Sequence, residues 1–144
     1  MFVFWANYCK NSNNPFLPRF DGFEKFIFDE RMYLQIRMER LTEAGQYGEA
    51  LLSLSEYITE NSAYYSRSNI HEGYYEYMFD SSFDNVIYYK QLKKIAGKHL
   101  ELLVQTVFDI DRIGYDYGWN FDLHQGNYML RNNTPVIVDP WVIG

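Results

Sequence analysis

The stretch WNFDLHQGNYMLRNNTPVIVDPW, at 119–141, crowds two aspartates, a histidine and several amides into one short segment, with an apolar run just before the second aspartate. A core strand has no use for so many polar groups. Asp122 can accept a proton from a nucleophile and orient it. Asn127, five residues on, and Asp139, twelve further, can offer an amide carbonyl and a carboxylate to Mg²⁺, which prefers oxygen ligands and keeps some of its water. These are parts for phosphoryl transfer, where positioning and charge neutralisation supply most of the catalysis. A turn-rich loop whose side chains cap their own backbone would explain a single Asp or Asn, but not the whole order.

Other polar residues carry less. His71, His99 and His124 have no metal-ligand spacing, which argues against zinc. Asp109 and Asp111 mimic a metal-binding pair but sit near a helix end, and read as surface charges. His124 reads either as a residue that braces its loop or as one that faces a phosphate.

Several elements must hold the segment in place. Residues 1–11 read as the end of a helix packed by Phe2, Phe4, Trp5 and Tyr8, and the proline-containing NSNNPFLPRF as a connection. Two strands are expected at 19–28 and 32–38, turning at Asp29-Glu30. Residues 43–60 have a helical face of Leu51, Leu54 and Ile58. The tyrosine-rich 57–89 region reads as a loop-rich insertion or as short helices packed by rings. The clearest helix spans 86–113, with Lys90, Lys93, Lys94 and Lys98 on a polar face and Gly114 as its stop. After a loop at 115–127, strands at 128–131 and 135–139 form a hairpin around an Asn-Asn-Thr turn.

The totals exclude several classes. A chain of 144 residues with 47% hydrophobic content suits one domain with a real core. A net charge of −6 argues against a nucleic-acid partner. The lone Cys9 can form no internal disulfide and fits a reducing cytoplasm. No apolar run reaches the roughly 18 residues a membrane span needs. The opening MFVFWANYC has no basic leader and reads as a buried element rather than a signal peptide.

FDLHQGNYML followed by PVIVDP resembles the catalytic loop and metal-binding aspartate of the protein-kinase-like superfamily. It is closest to the branch with Asp-x-His-x-x-Asn, which includes aminoglycoside phosphotransferases. FDLHQGN with VDP is similar to the early Ser/Thr protein kinases of lytic phages, which modify host proteins. Upstream, NNPFLPRF and YLQIRMERL resemble the segment before the fourth strand of such a kinase and its fifth strand with the hinge.

The resemblance implies an α+β, truncated kinase-like fold in a single domain over 1–144. Residues 1–38 would be a small-lobe remnant, 39–42 a hinge and 43–144 the large-lobe core. It implies ATP and Mg²⁺ as cofactors. Asp122 would be catalytic, and Asn127 and Asp139 would bind metal. Met38, Glu39, Arg40 and Leu41 would meet the adenine, and His124 stands where protein kinases carry a phosphate-facing lysine.

The chain also departs from that pattern. Pro140 and Trp141 follow Asp139 where protein kinases have Phe-Gly, and Asn120 stands where many have histidine. No glycine-rich loop precedes residue 10, and neither a Val-Ala-Ile-Lys strand nor a partnered glutamate is visible. The expectation is a core cut at both ends, with ATP binding weak or absent. Two functions follow: a Ser/Thr kinase acting on host proteins in the bacterial cytoplasm, or an inactive pseudokinase-like module that inhibits or redirects a host protein. A small-molecule phosphotransferase is a third. A sheet left uncovered implies a partner, either a host protein or a second copy, with no nucleic acid and no membrane.

Overall fold

A computed structural model describes residues 1–80 and 82–144. The protein is α+β, with five α-helices and three small antiparallel sheets among the described residues. Helix α1 spans Phe2–Cys9 and buries Trp5, Ala6 and Cys9, residues spaced to share one face. The Trp5 indole N–H donates to the Val138 carbonyl at 2.8 Å, which ties the start of the chain to the end of the last hairpin. Phe2 and Tyr8, expected inside, are exposed.

Strands β1 (Phe20–Phe28) and β2 (Arg31–Met38) form a hairpin of their own. Its turn puts Asp29 and Glu30 at φ 49° and 59°, as a two-residue hairpin requires. The register pairs Phe26 with Tyr33 and Ile27 with Met32. Packing of α1 on this hairpin is seen at its base, where Phe2 meets Phe20 edge-on and Lys10 lies over the Phe23 ring.

The short β3 (Thr42–Glu43) is followed by α2 (Gly48–Asn61), which directs Leu51, Leu54 and Ile58 inward. The tyrosine-rich region is helical: α3 spans Ile70–Asp80 and α4 spans Phe83–Ala96. Its rings divide by position. Tyr57, Tyr74 and Tyr89 are buried together, whereas Tyr75, Tyr77 and Phe79 are exposed.

The single helix expected over 86–113 is two. Helix α4 ends at Ala96, a 3₁₀ turn follows, and α5 runs Leu100–Tyr117. The break falls on Gly97 at φ 56°, a conformation without cost to glycine. Apolar spacing continues across the break, which is why periodicity alone did not reveal it. Gly114 does not end α5; the helix ends in a left-handed Gly118. Gly114 lies in the last turns because a Cβ there would come 2.9 Å from the Trp141 ring and 3.0 Å from the Trp119 carbonyl.

Strands β5 (Tyr128–Arg131) and β6 (Thr134–Ile137) form the expected hairpin, turning through Asn132 and Asn133 in the left-handed region. Strand β3 joins the β5 edge. Strand β4 (Asn120–Phe121) pairs with β7 (Trp141–Val142). The core gathers α2, α4, α5 and this second hairpin around Leu51, Ile58, Leu92, Leu103, Ile110 and Ile137. Among the described residues, no helix is long and apolar enough to cross a membrane.

Candidate active site

Two backbone hydrogen bonds join the 122–127 loop to the end of the hairpin. The Asp122 N–H donates to the Pro140 carbonyl at 2.7 Å, and the Val138 N–H donates to the Asn127 carbonyl at 2.9 Å. Asp139 lies between these two fastenings. Pairing of Phe121 with Trp141 continues the contact on one side. The Trp141 indole N–H reaches the Ile110 carbonyl at 2.9 Å, which anchors this strand end to α5.

The loop is closed from inside. The His124 N–H donates to the Asp122 carbonyl at 2.9 Å, and the Asn127 N–H donates to the His124 carbonyl at 3.0 Å. The Asn127 side-chain nitrogen donates to the same Asp122 carbonyl at 3.1 Å. Its nitrogen thus engaged, the amide presents its Oδ1 carbonyl oxygen as the remaining donor atom to a cation.

Asp139 senses the charge of Asp122. Partial burial raises the Asp139 pKa above the ordinary carboxylate value, and the charge of Asp122 raises it further, against a lowering effect of the Met1 amino group. The Asp139 carboxylate and the Asn127 amide oxygen are donors of the kind Mg²⁺ takes while keeping several waters. No group of three or more His, Cys, Asp and Glu able to hold a metal occurs among the described residues.

A cavity of about 370 Å³ opens beside the loop, lined by Glu43, Gly45, Gln125, Gly126 and Met129 among others. It begins just after the expected hinge. Met38 and Arg40 are exposed and Leu41 is half-buried, and none of these, nor Glu39, lines the cavity. Glu39 is engaged structurally. Its carboxylate accepts from the Arg131 guanidinium and from the Arg19 N–H. The Arg131 bond holds the Glu39 pKa below the usual carboxylate value. Arg131 also donates to the Pro15 and Leu17 carbonyls at 2.8 and 3.0 Å. It thus binds the connection before β1, the segment after β2 and the β5–β6 hairpin into one joint. Nothing about an arginine at the end of a short strand marks it for that role in sequence.

His124 is exposed, and its Nδ1 accepts from the Gly126 N–H at 2.9 Å. In this structure the ring braces its own loop. Asp109 is ion-paired with Arg67 at 2.9 Å. Asp111 departs from the surface role expected of it: it is half-buried, accepts from the Ser62 hydroxyl at 2.6 Å, and has its pKa raised by burial. Lys90, Lys93, Lys94 and Lys98 are exposed, as expected of a solvated face.

No family model, no curated protein and no solved structure matches this chain.

Proposed function

We propose that this protein is a protein-kinase-like phosphotransferase of the phage Ser/Thr type, acting on host proteins in the bacterial cytoplasm. The observation that supports the reading is the double fastening of 122–127 to 138–140, which sets the loop that carries Asp122 and Asn127 against the strand end that carries Asp139; the neighbouring cavity is lined by Gln125 and Gly126 of that loop and by none of the three. Mg-ATP, when bound, supplies the γ-phosphoryl group and the charge that shields it. The Asn127 Oδ1 and the Asp139 carboxylate would hold the cation. Asp122 would hold a Ser or Thr hydroxyl and take up its proton as the oxygen attacks. The Glu39–Arg131 joint would keep the hinge in register with that site.

A second reading is favoured by one observation. The β1–β2 hairpin exposes Phe26, Ile27, Phe28 and Met32, as a surface used for binding does. A pseudokinase-like module that docks on a host protein would use that surface and leave the carboxylates idle. Radiolabelled ATP with Mg²⁺ and a bacterial lysate separates the two. The kinase reading expects slow labelling of Ser and Thr that vanishes in Asp122→Asn. Absence of transfer, or transfer untouched by that substitution, contradicts it.

A further inference from the structure

The β1–β2 hairpin stands as a two-stranded sheet with both outer edges unpaired. A hairpin of that kind is marginal in water without a third strand or a covering layer. Its second strand is also unusual in composition. Met32, Tyr33, Leu34, Gln35, Ile36, Arg37 and Met38 read almost the same from either end: Met opposite Met, Tyr opposite Arg, Leu opposite Ile, about a central Gln35. All seven are exposed except Ile36, which is half-buried. Met32 is 71% exposed.

We infer that the β2 edge pairs with the β2 edge of a second copy of this chain, antiparallel and centred on Gln35, to make a four-stranded sheet across a two-fold axis. A two-fold axis demands that residue i meet j while j meets i. It also demands pairs of the same parity, or the faces would be exchanged. The register about Gln35 meets both conditions. It sets Leu34 against Ile36 of the second copy, Met32 against Met38, and Tyr33 against Arg37, an aromatic–cation pair. Moving the centre to Leu34 opposes Arg31 with Arg37, a like-charge pair. Moving it to Ile36 sets Tyr33 against Glu39 and Arg37 against Gln35, which loses the aromatic–cation pair. The charges agree with a second copy as occupant. Between 31 and 38 the only ionised side chains are Arg31 and Arg37, and the Gln35 register sets them against Glu39 and Tyr33 of the second copy rather than against each other. The inference is independent of the phosphotransfer reading.

Sedimentation of the purified chain from about 1 to 100 µM measures the association, and cysteine cross-linking measures its register. The expected result is a monomer–dimer equilibrium that Leu34→Glu weakens at least tenfold, with the circular dichroism unchanged. Gln35→Cys should cross-link to itself under mild oxidation, because the two Cα atoms would lie about 4.5–5.5 Å apart. Arg37→Cys, displaced by four residues from its own copy, should not. The native Cys9 is buried and leaves the background low. A monomer at every concentration overturns the proposal. So does a dimer indifferent to Leu34→Glu, or Arg37→Cys cross-linking as well as Gln35→Cys.

Discussion

Asn127 closes its loop on Asp122: its side-chain nitrogen and the His124 N–H converge on one carbonyl, that of Asp122, at 3.1 and 2.9 Å. The same asparagine receives the Val138 N–H on its backbone oxygen. One residue therefore fixes both the loop and its distance from Asp139. Asn127→Ala removes the side-chain bond while keeping the backbone ones. We expect a stability loss of about 1 kcal/mol, with the helices intact by circular dichroism. Faster amide exchange confined to 122–127 would check the local origin of the loss.

Glu39 and Arg131 join three segments, so breaking the pair should cost about 2 kcal/mol. The sign with pH follows from the lowered Glu39 pKa. A carboxylate with a depressed folded pKa contributes stability that is present above its unfolded value and lost as pH falls through the folded one. Glu39→Gln should therefore lower the Tm at neutral pH. The gap from wild type should close below about pH 4, in the window beneath the ordinary carboxylate value. Melting curves from pH 3 to 7 measure it, and a gap constant with pH would contradict the assignment.

Asp139 should behave in the opposite sense. Its folded pKa is raised by burial and by Asp122, so the folded state gains protons between the ordinary value and the raised one. Its penalty is fully present above that window and disappears below it. Asp139→Asn should raise the Tm at pH 7 and leave it unchanged near pH 3. Loss of stability at pH 7 would mean that the carboxylate is held by a partner rather than repelled.

Gly114 faces Trp141 with no space for a methyl group. Gly114→Ala should cost about 1–3 kcal/mol through overpacking, although alanine favours the helix. Trp fluorescence should shift, because Trp119 and Trp141 lie tilted against each other around this turn at a centroid separation of 5.3 Å. An unchanged or higher Tm would show that the rings yield without cost.

Much of this arrangement was legible in sequence where local rules act alone. Asp29-Glu30 and Asn132-Asn133 turned where turn chemistry placed them. The strands on either side ended within a few residues of expectation, and the loop and hairpin that carry Asp122, Asn127 and Asp139 follow the last helix in the expected order. What sequence hid was decided by tertiary contact. Gly97 broke a helix whose apolar spacing ran straight through it. Gly114 read as a stop, yet its role is to admit Trp141. Asp111 read as a surface charge because Ser62, which binds it, lies 49 positions away. Glu39 read as a hinge residue for a ligand, while its partner Arg131 lies 92 positions on.

The central claim is that Asp122, Asn127 and Asp139 form one site for a divalent cation and a nucleotide. Calorimetric titration of Mg-ATP into the purified chain tests it most directly. The account predicts weak, Mg²⁺-dependent binding with a Kd of about 0.1–1 mM. Asp139→Asn and Asn127→Ala should abolish it, and Asp122→Asn should retain it. No heat at any concentration up to about ten times that range, or a titration unchanged by Asp139→Asn, would contradict it.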